Sequence, residues 1–146
     1  MKALIASIAF LLALPAAAAD LIEKTSPHDV ATTADRLVAA IEKAGAKVAA
    51  RIDHAANAAS VGTEMEPTVL VVFGNPKIGT PIIMSDRRAA LDLPVRVLVY
   101  ADGGETKMIA TDPTALAARY DAKAEQAVTT MTGAINKLMD AAAATE

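Results

Sequence analysis

Residues Thr68 to Phe73 form an uninterrupted run of β-branched and apolar side chains, and no other stretch narrows the choice of fold so sharply. Such a run reads as a strand, and its lack of polar alternation places it centrally in a sheet. Residues 47–52 behave differently: Val48, Ala50 and Ile52 alternate with Lys47, Ala49 and Arg51, the pattern of a half-buried strand. Leu21 to Thr25 reads as a short opening strand. Val95–Tyr100 and Thr106–Ala110 flank Asp102-Gly103, a strong signal for a two-residue hairpin turn.

Helical patterns fill the gaps between these strands. Ser26-Pro27-His28-Asp29 offers a capping hydroxyl, a proline at the first helical position and an acid three residues after the cap. Val30, Ala34, Leu37, Ile41 and Ala44 then recur at spacings of four and three, on one helical face, and Gly45 stands where a left-handed residue usually ends a helix. Thr80-Pro81 is expected to cap a short helix running toward Asp86. Asp112-Pro113 opens a helical region, broken near Tyr120-Asp121, that gives a C-terminal helix over about 113–140. Its stripe of Ala124, Val128, Met131, Ile135 and Leu138 is either a core face lying on the sheet or a surface paired with a second subunit. The expectation is one α+β domain over residues 20–146, a mainly antiparallel sheet with helices packed on one face plus the C-terminal helix.

The first nineteen residues have a different character. One lysine, an apolar run from Ala3 to Leu14, Pro15 and four alanines are the parts of a secretory signal peptide, with Ala17 and Ala19 supplying the small residues a signal peptidase needs. A membrane span needs ~20 apolar residues, and Pro15 interrupts this run too early. Residues 1–19 are therefore expected to be removed, leaving a periplasmic or secreted product with no membrane span.

Composition removes several classes of function. The chain has no cysteine, which excludes disulfides, thiolate metal sites and cysteine nucleophiles. Its formal charge is −3, one unit more negative without Lys2, and no basic cluster offers a footprint for nucleic acid. Phe73, Tyr100 and Tyr120 are the aromatic residues beyond the leader, too few for a base-stacking platform. No serine stands in G-x-S-x-G, and the methionines show no clustered copper-site spacing.

Two places carry chemistry. His54 ends a strand, follows Asp53 and precedes a small-residue stretch; an imidazole there can ligate haem iron or a transition metal, or carry protons near neutral pH. Adjacent strand residues point to opposite faces, so Asp53 does not orient His54 unless the chain turns between them. The structural alternative is a histidine capping the next segment. Gly74-Asn75-Pro76 follows the Thr68–Phe73 strand directly, either as a structural turn or as a cradle of backbone N–H groups for a ligand. Asp53, Glu64 and Glu66 lie around one loop, and paired carboxylates there would suit a small hydrolase.

Arg51-Ile52-Asp53-His54, Phe73-Gly74-Asn75-Pro76 and Leu91-Asp92-Leu93-Pro94, the last opening onto Val95–Tyr100, resemble in order and spacing the bacterial family named domain of unknown function 302. The resemblance runs from about Leu21 to Pro113. It implies a small α+β fold, often a homodimer, in which the acid-histidine pair and the Gly-Asn-Pro turn belong to the motif. The family name records no activity. The leading expectation is thus a secreted, non-catalytic binding or assembly module, with any small-molecule ligand held by Asp53, His54, Gly74, Asn75 and Pro76. A haem or metal protein ligated by His54 and an envelope hydrolase using Asp53 and His54 are the alternatives.

Overall fold

A computed structural model describes residues 20–145; the expected signal peptide lies outside the described residues. Five strands, β1 (Leu21–Ser26), β2 (Lys47–Asp53), β3 (Thr68–Gly74), β4 (Val95–Asp102) and β5 (Glu105–Thr111), form one sheet in the order β1-β5-β4-β3-β2. Every neighbouring pair is antiparallel. Five helices accompany them: α1 (Val30–Lys43), α2 (His54–Ser60), α3 (Pro76–Ser85), α4 (Pro113–Arg119) and α5 (Glu125–Ala143). The α+β class is as the sequence predicts.

The strand sequences bury one face only. Val69, Val71 and Phe73 of β3, Val97 and Val99 of β4, and Met108 and Ala110 of β5 are all buried, whereas their alternating neighbours Leu70, Val72, Leu98 and Ile109 stay half-exposed. Here the structure corrects the reading of residues 68–73. β3 has partners on both edges, but β4 is the central strand, and the continuous apolar run covers a core face and a half-open face. Across that open face Ile52, Leu70, Leu98 and Ile109 stand side by side on four strands.

α1 crosses the buried face over β2 to β5, and α5 packs on β1, α1, α3 and α4. The stripe Val128, Met131, Ile135, Leu138, Met139 and Ala142 is buried, so α5 spends its apolar face on its own core. Lys24 of β1 pairs with Asp140, and the C-terminal carbonyls of α5 are taken up by α1 and the residues before it. Arg36 donates to the Ala142 and Ala144 carbonyls at 3.1 and 2.8 Å, and His28 Nε2 donates to Ala144 at 3.0 Å. Basic groups at this end also oppose the negative pole of the helix.

Several boundaries move. α1 begins at Val30 with Asp29 as its cap, accepting from the Thr32 N–H, because the ladder with β5 claims Ser26 as the last residue of β1. α3 starts at Pro76 rather than Thr80-Pro81; the Asn75 side chain accepts from the Lys77 N–H, and Pro81 sits inside the helix. The hairpin turns at Gly103-Gly104, both with positive φ, and Asp102 pairs with Glu105 as the last rung. Two positive φ values are what a two-residue turn of this twist requires. A bulge at Ala49 also resets the alternation of β2. Val48 faces the core opposite Phe73, while Ala50 and Ile52 face the open side opposite Val72 and Leu70.

Val71 has no exposed surface. Val71→Asp is expected to abolish the cooperative fold, since an unpaired buried carboxylate costs several kcal/mol against a total of ~5–15 kcal/mol. Circular dichroism and amide dispersion check this; a variant with native dispersion would contradict the buried placement of β3.

Candidate functional site

Antiparallel pairing sends the two motif segments apart. Asp53 lies opposite Val69 and Lys47 opposite Gly74, so His54 and the Gly74-Asn75-Pro76 turn occupy opposite ends of the β2–β3 pair. At about 3.3 Å per strand residue they are ~20 Å apart. One pocket cannot use both. The convergence expected from the sequence fails because Gly74 ends β3 whereas His54 adjoins its beginning.

At the His54 end the geometry is that of a helix start. Asp53 caps α2, accepting from the Ala56 N–H at 2.8 Å, and His54 is the first, half-exposed residue of that helix. The cap is thus the aspartate, not the histidine. Glu64 and Glu66 are exposed on the following loop. Among the described residues no three His, Asp or Glu side chains gather where a metal ion could be held.

The Gly-Asn-Pro turn does its own hydrogen bonding. Asn75 takes up the Lys77 N–H with its side chain and the Ile78 and Gly79 N–H groups with its carbonyl, and Pro76 has no N–H to give. These amides are committed to starting α3, so the turn does not work as an N–H cradle. Gly74 is needed for a close approach: a Cβ there would stand 3.3 Å from the Cβ of Pro94, which follows a cis peptide bond.

This packed turn forms one end of a groove of about 740 Å³, within the ~300–1,000 Å³ usual for small-molecule sites. Phe73, Leu93 and Val95 supply the sheet side, Ile78 and Ile83 the α3 wall, and Met131, Ile135 and Leu138 the α5 wall. Ala44, Ala46, Lys47 and Ala49 line the groove beside the turn, where Lys47 pairs with Gly74. The lining is apolar except for Lys47, Asn75, Thr80, Thr129, Thr130 and Lys137.

Two glycines add room to the groove. Gly79 lies inside α3 and Gly133 inside α5, where glycine costs about 1 kcal/mol relative to alanine. Neither has the positive φ that would call for glycine, and a Cβ built at either meets no atom within 4 Å. Both line the groove. Backbone conformation and packing therefore give no reason for these residues; the space they leave is their structural effect. The sequence pattern holds a signal for this in Gly133, which interrupts an otherwise helix-favouring segment, but only the fold sets it opposite α3.

Asp92, in the third motif segment, ties the neighbouring loop to α4. Its carboxylate accepts from Arg96 at 3.1 Å, from Arg119 at 2.7 Å and from the Tyr120 hydroxyl at 2.7 Å. The Tyr120 bond, joined by Arg119, holds the Asp92 carboxyl below the ordinary carboxylate range in spite of desolvation. The same bond raises the Tyr120 phenol. Leu93, next in sequence, lines the groove, so this clamp fixes one of its walls.

The chain belongs to the family "Domain of unknown function DUF302", whose model matches residues 22–140. It is 37% identical over 123 residues to the fluoride-specific ion channel FluC 1 of Brucella suis biovar 1 (strain 1330), covering 80% of this chain and 48% of that protein. FluC 1 of Brucella abortus biovar 1 (strain 9-941) matches at the same identity over 46% of its length. The chain thus spans about half the length of these curated relatives. Among the described residues no helix is long and apolar enough to cross a membrane. The fold is similar to the crystal structure of an uncharacterized conserved DUF302 protein from Bacillus stearothermophilus, with a TM-score of 0.76 at 18% identity, covering 84% of this chain and 97% of that one.

Two substitutions probe this region. Asp92→Ala is expected to lower stability, read from the urea midpoint, by removing the acceptor shared by the Tyr120 hydroxyl, Arg119 and Arg96. Because folding lowers the Asp92 pKa, its charge stabilises the fold fully above the unfolded value of about 3.9, and that stabilisation fades as pH falls through the folded value. Urea titrations should show the wild-type advantage shrinking below about pH 4. Gly133→Ala should raise stability by about 1 kcal/mol, read from the urea midpoint; a loss would mean that the space at Gly133 is already filled.

Proposed function

We propose that the protein is a secreted, periplasmic binding module that takes the apolar part of a small molecule into the groove between α3 and α5. Secretion rests on Lys2, the apolar run before Pro15, and Ala17 and Ala19. The binding reading is carried by the mainly apolar groove of about 740 Å³, with two helix-interior glycines, Gly79 and Gly133, in its walls. Of the residues first considered for a ligand, Gly74, Asn75 and Pro76 border this groove and Asp53 and His54 do not. No bound ion or nucleophilic arrangement is needed, and the lining favours retention over chemistry.

An assembly role has separate support. Ile52, Leu70, Leu98 and Ile109 make a half-exposed apolar band across four strands, and a homodimer would cover it. Fluoride conduction belongs by name to the whole Brucella proteins, of which the shared stretch is about half. For this chain the reading is limited to the module.

Titration of the processed protein with 1-octanol, followed by amide chemical shifts, tests the binding role. Shifts should concentrate at Gly79, Gly133 and their neighbours. Gly133→Leu, whose Cβ meets no neighbouring atom and whose side chain takes up part of the groove, should weaken them while the protein stays folded. Saturating shifts elsewhere, or none at all, would overturn the proposal.

A further inference from the structure

We infer that the ligand of the α3–α5 groove is a single-chain amphiphile with an anionic head, a deepening that rests on the binding role proposed above. The chain is acidic overall, with 17 Asp and Glu against 14 Lys and Arg, yet no carboxylate lines the groove. Its charged lining residues are Lys47 at the start of β2 and Lys137 on α5. Lys24 pairs with Asp140, Lys107 with Asp102 and Lys123 with Asp121, whereas Lys43 and Lys77, outside the lining, have no acidic partner among the described residues. Among the described residues neither Lys47 nor Lys137 has such a partner. Both ammonium groups are therefore available to an anion bound in this mainly apolar groove.

The length of the wall bears on the tail. Thr129 and Lys137 both line the groove, and eight helical residues at 1.5 Å each give about 12 Å of wall along α5. Gly133 lies midway along it with open space beside its α-carbon. A linear apolar tail laid along this wall over Gly133, with its head at the lysines, matches that length. The two lysines are exposed, so water and salt weaken their pull, and the expected preference for a charged head is modest.

The test compares octanoate, octyl phosphate and 1-octanol at neutral pH and low salt, using the processed protein and amide shift titration. The anionic heads should bind about fivefold tighter than the alcohol. Carboxylate and phosphate arms show which anion fits better. Lys47→Gln with Lys137→Gln should bring the two anion affinities down to that of 1-octanol measured in the same variant, and Gly133→Leu should weaken all three. If 1-octanol binds in the groove and the anions bind no tighter, the anionic head is wrong while the binding role stands. An advantage that survives the double lysine substitution assigns the head to other residues and also overturns the inference. If none of the three ligands binds, the binding role falls and this inference with it.

Discussion

A five-stranded sheet whose core face is Val69, Val71, Val97, Val99 and Met108 cannot close itself; that face must be covered by something equally apolar. α1 supplies part of the cover and α5 the rest, through a stripe that runs nearly the length of the helix. The seating of α5 is fixed at both ends by polar contacts. Arg36 and His28 take up its last carbonyls, and the Asp92–Arg119–Tyr120 cluster anchors the chain just before it begins. Hydrophobic burial gives the energy, and these contacts give the position. The groove follows, because it is the strip along α5 where the small residues on α3 and α5 keep their side chains from meeting.

That dependence shows how far the sequence could be read. An apolar run, one alternating strand, the Asp102-Gly103 turn signal and mixed three and four spacing revealed the five strands, α1 and the C-terminal helix, since most of these signals arise from which side chains leave water. Capping signals were less decisive because several residues competed for each role. Ser26 and Asp29 can both start α1, and the β1–β5 ladder decided for Asp29. Thr80 and Asn75 can both start α3, and Asn75 won although Pro81 then sits within the helix. The bulge at Ala49 left no trace in the alternation, because alanine is at home on either face.

The site was less legible than the fold. His54 and Gly74-Asn75-Pro76 stand out locally, but strand pairing decides what they stand beside, and antiparallel pairing separated them. The groove joins residues as distant in sequence as Lys47, Gly79 and Gly133. Titratable groups draw attention in a sequence; an opening between helices is made of groups that are missing. Membership in the DUF302 family adds a fold and no chemistry, so the wall between α3 and α5 carries the functional weight here.

The bulge in β2 has an effect beyond the groove it borders. An open sheet has two outer strands whose unpaired N–H and C=O groups invite pairing with strands of other molecules. In β2 the extra residue at Ala49 breaks the even spacing that such pairing needs, and Lys47, Arg51 and Asp53 place charges along the same strand. An incoming strand would have to match an irregular ladder and pass these charges. The same irregularity that turns Val48 inward and Ile52 outward thus blunts one edge of the sheet against runaway strand addition.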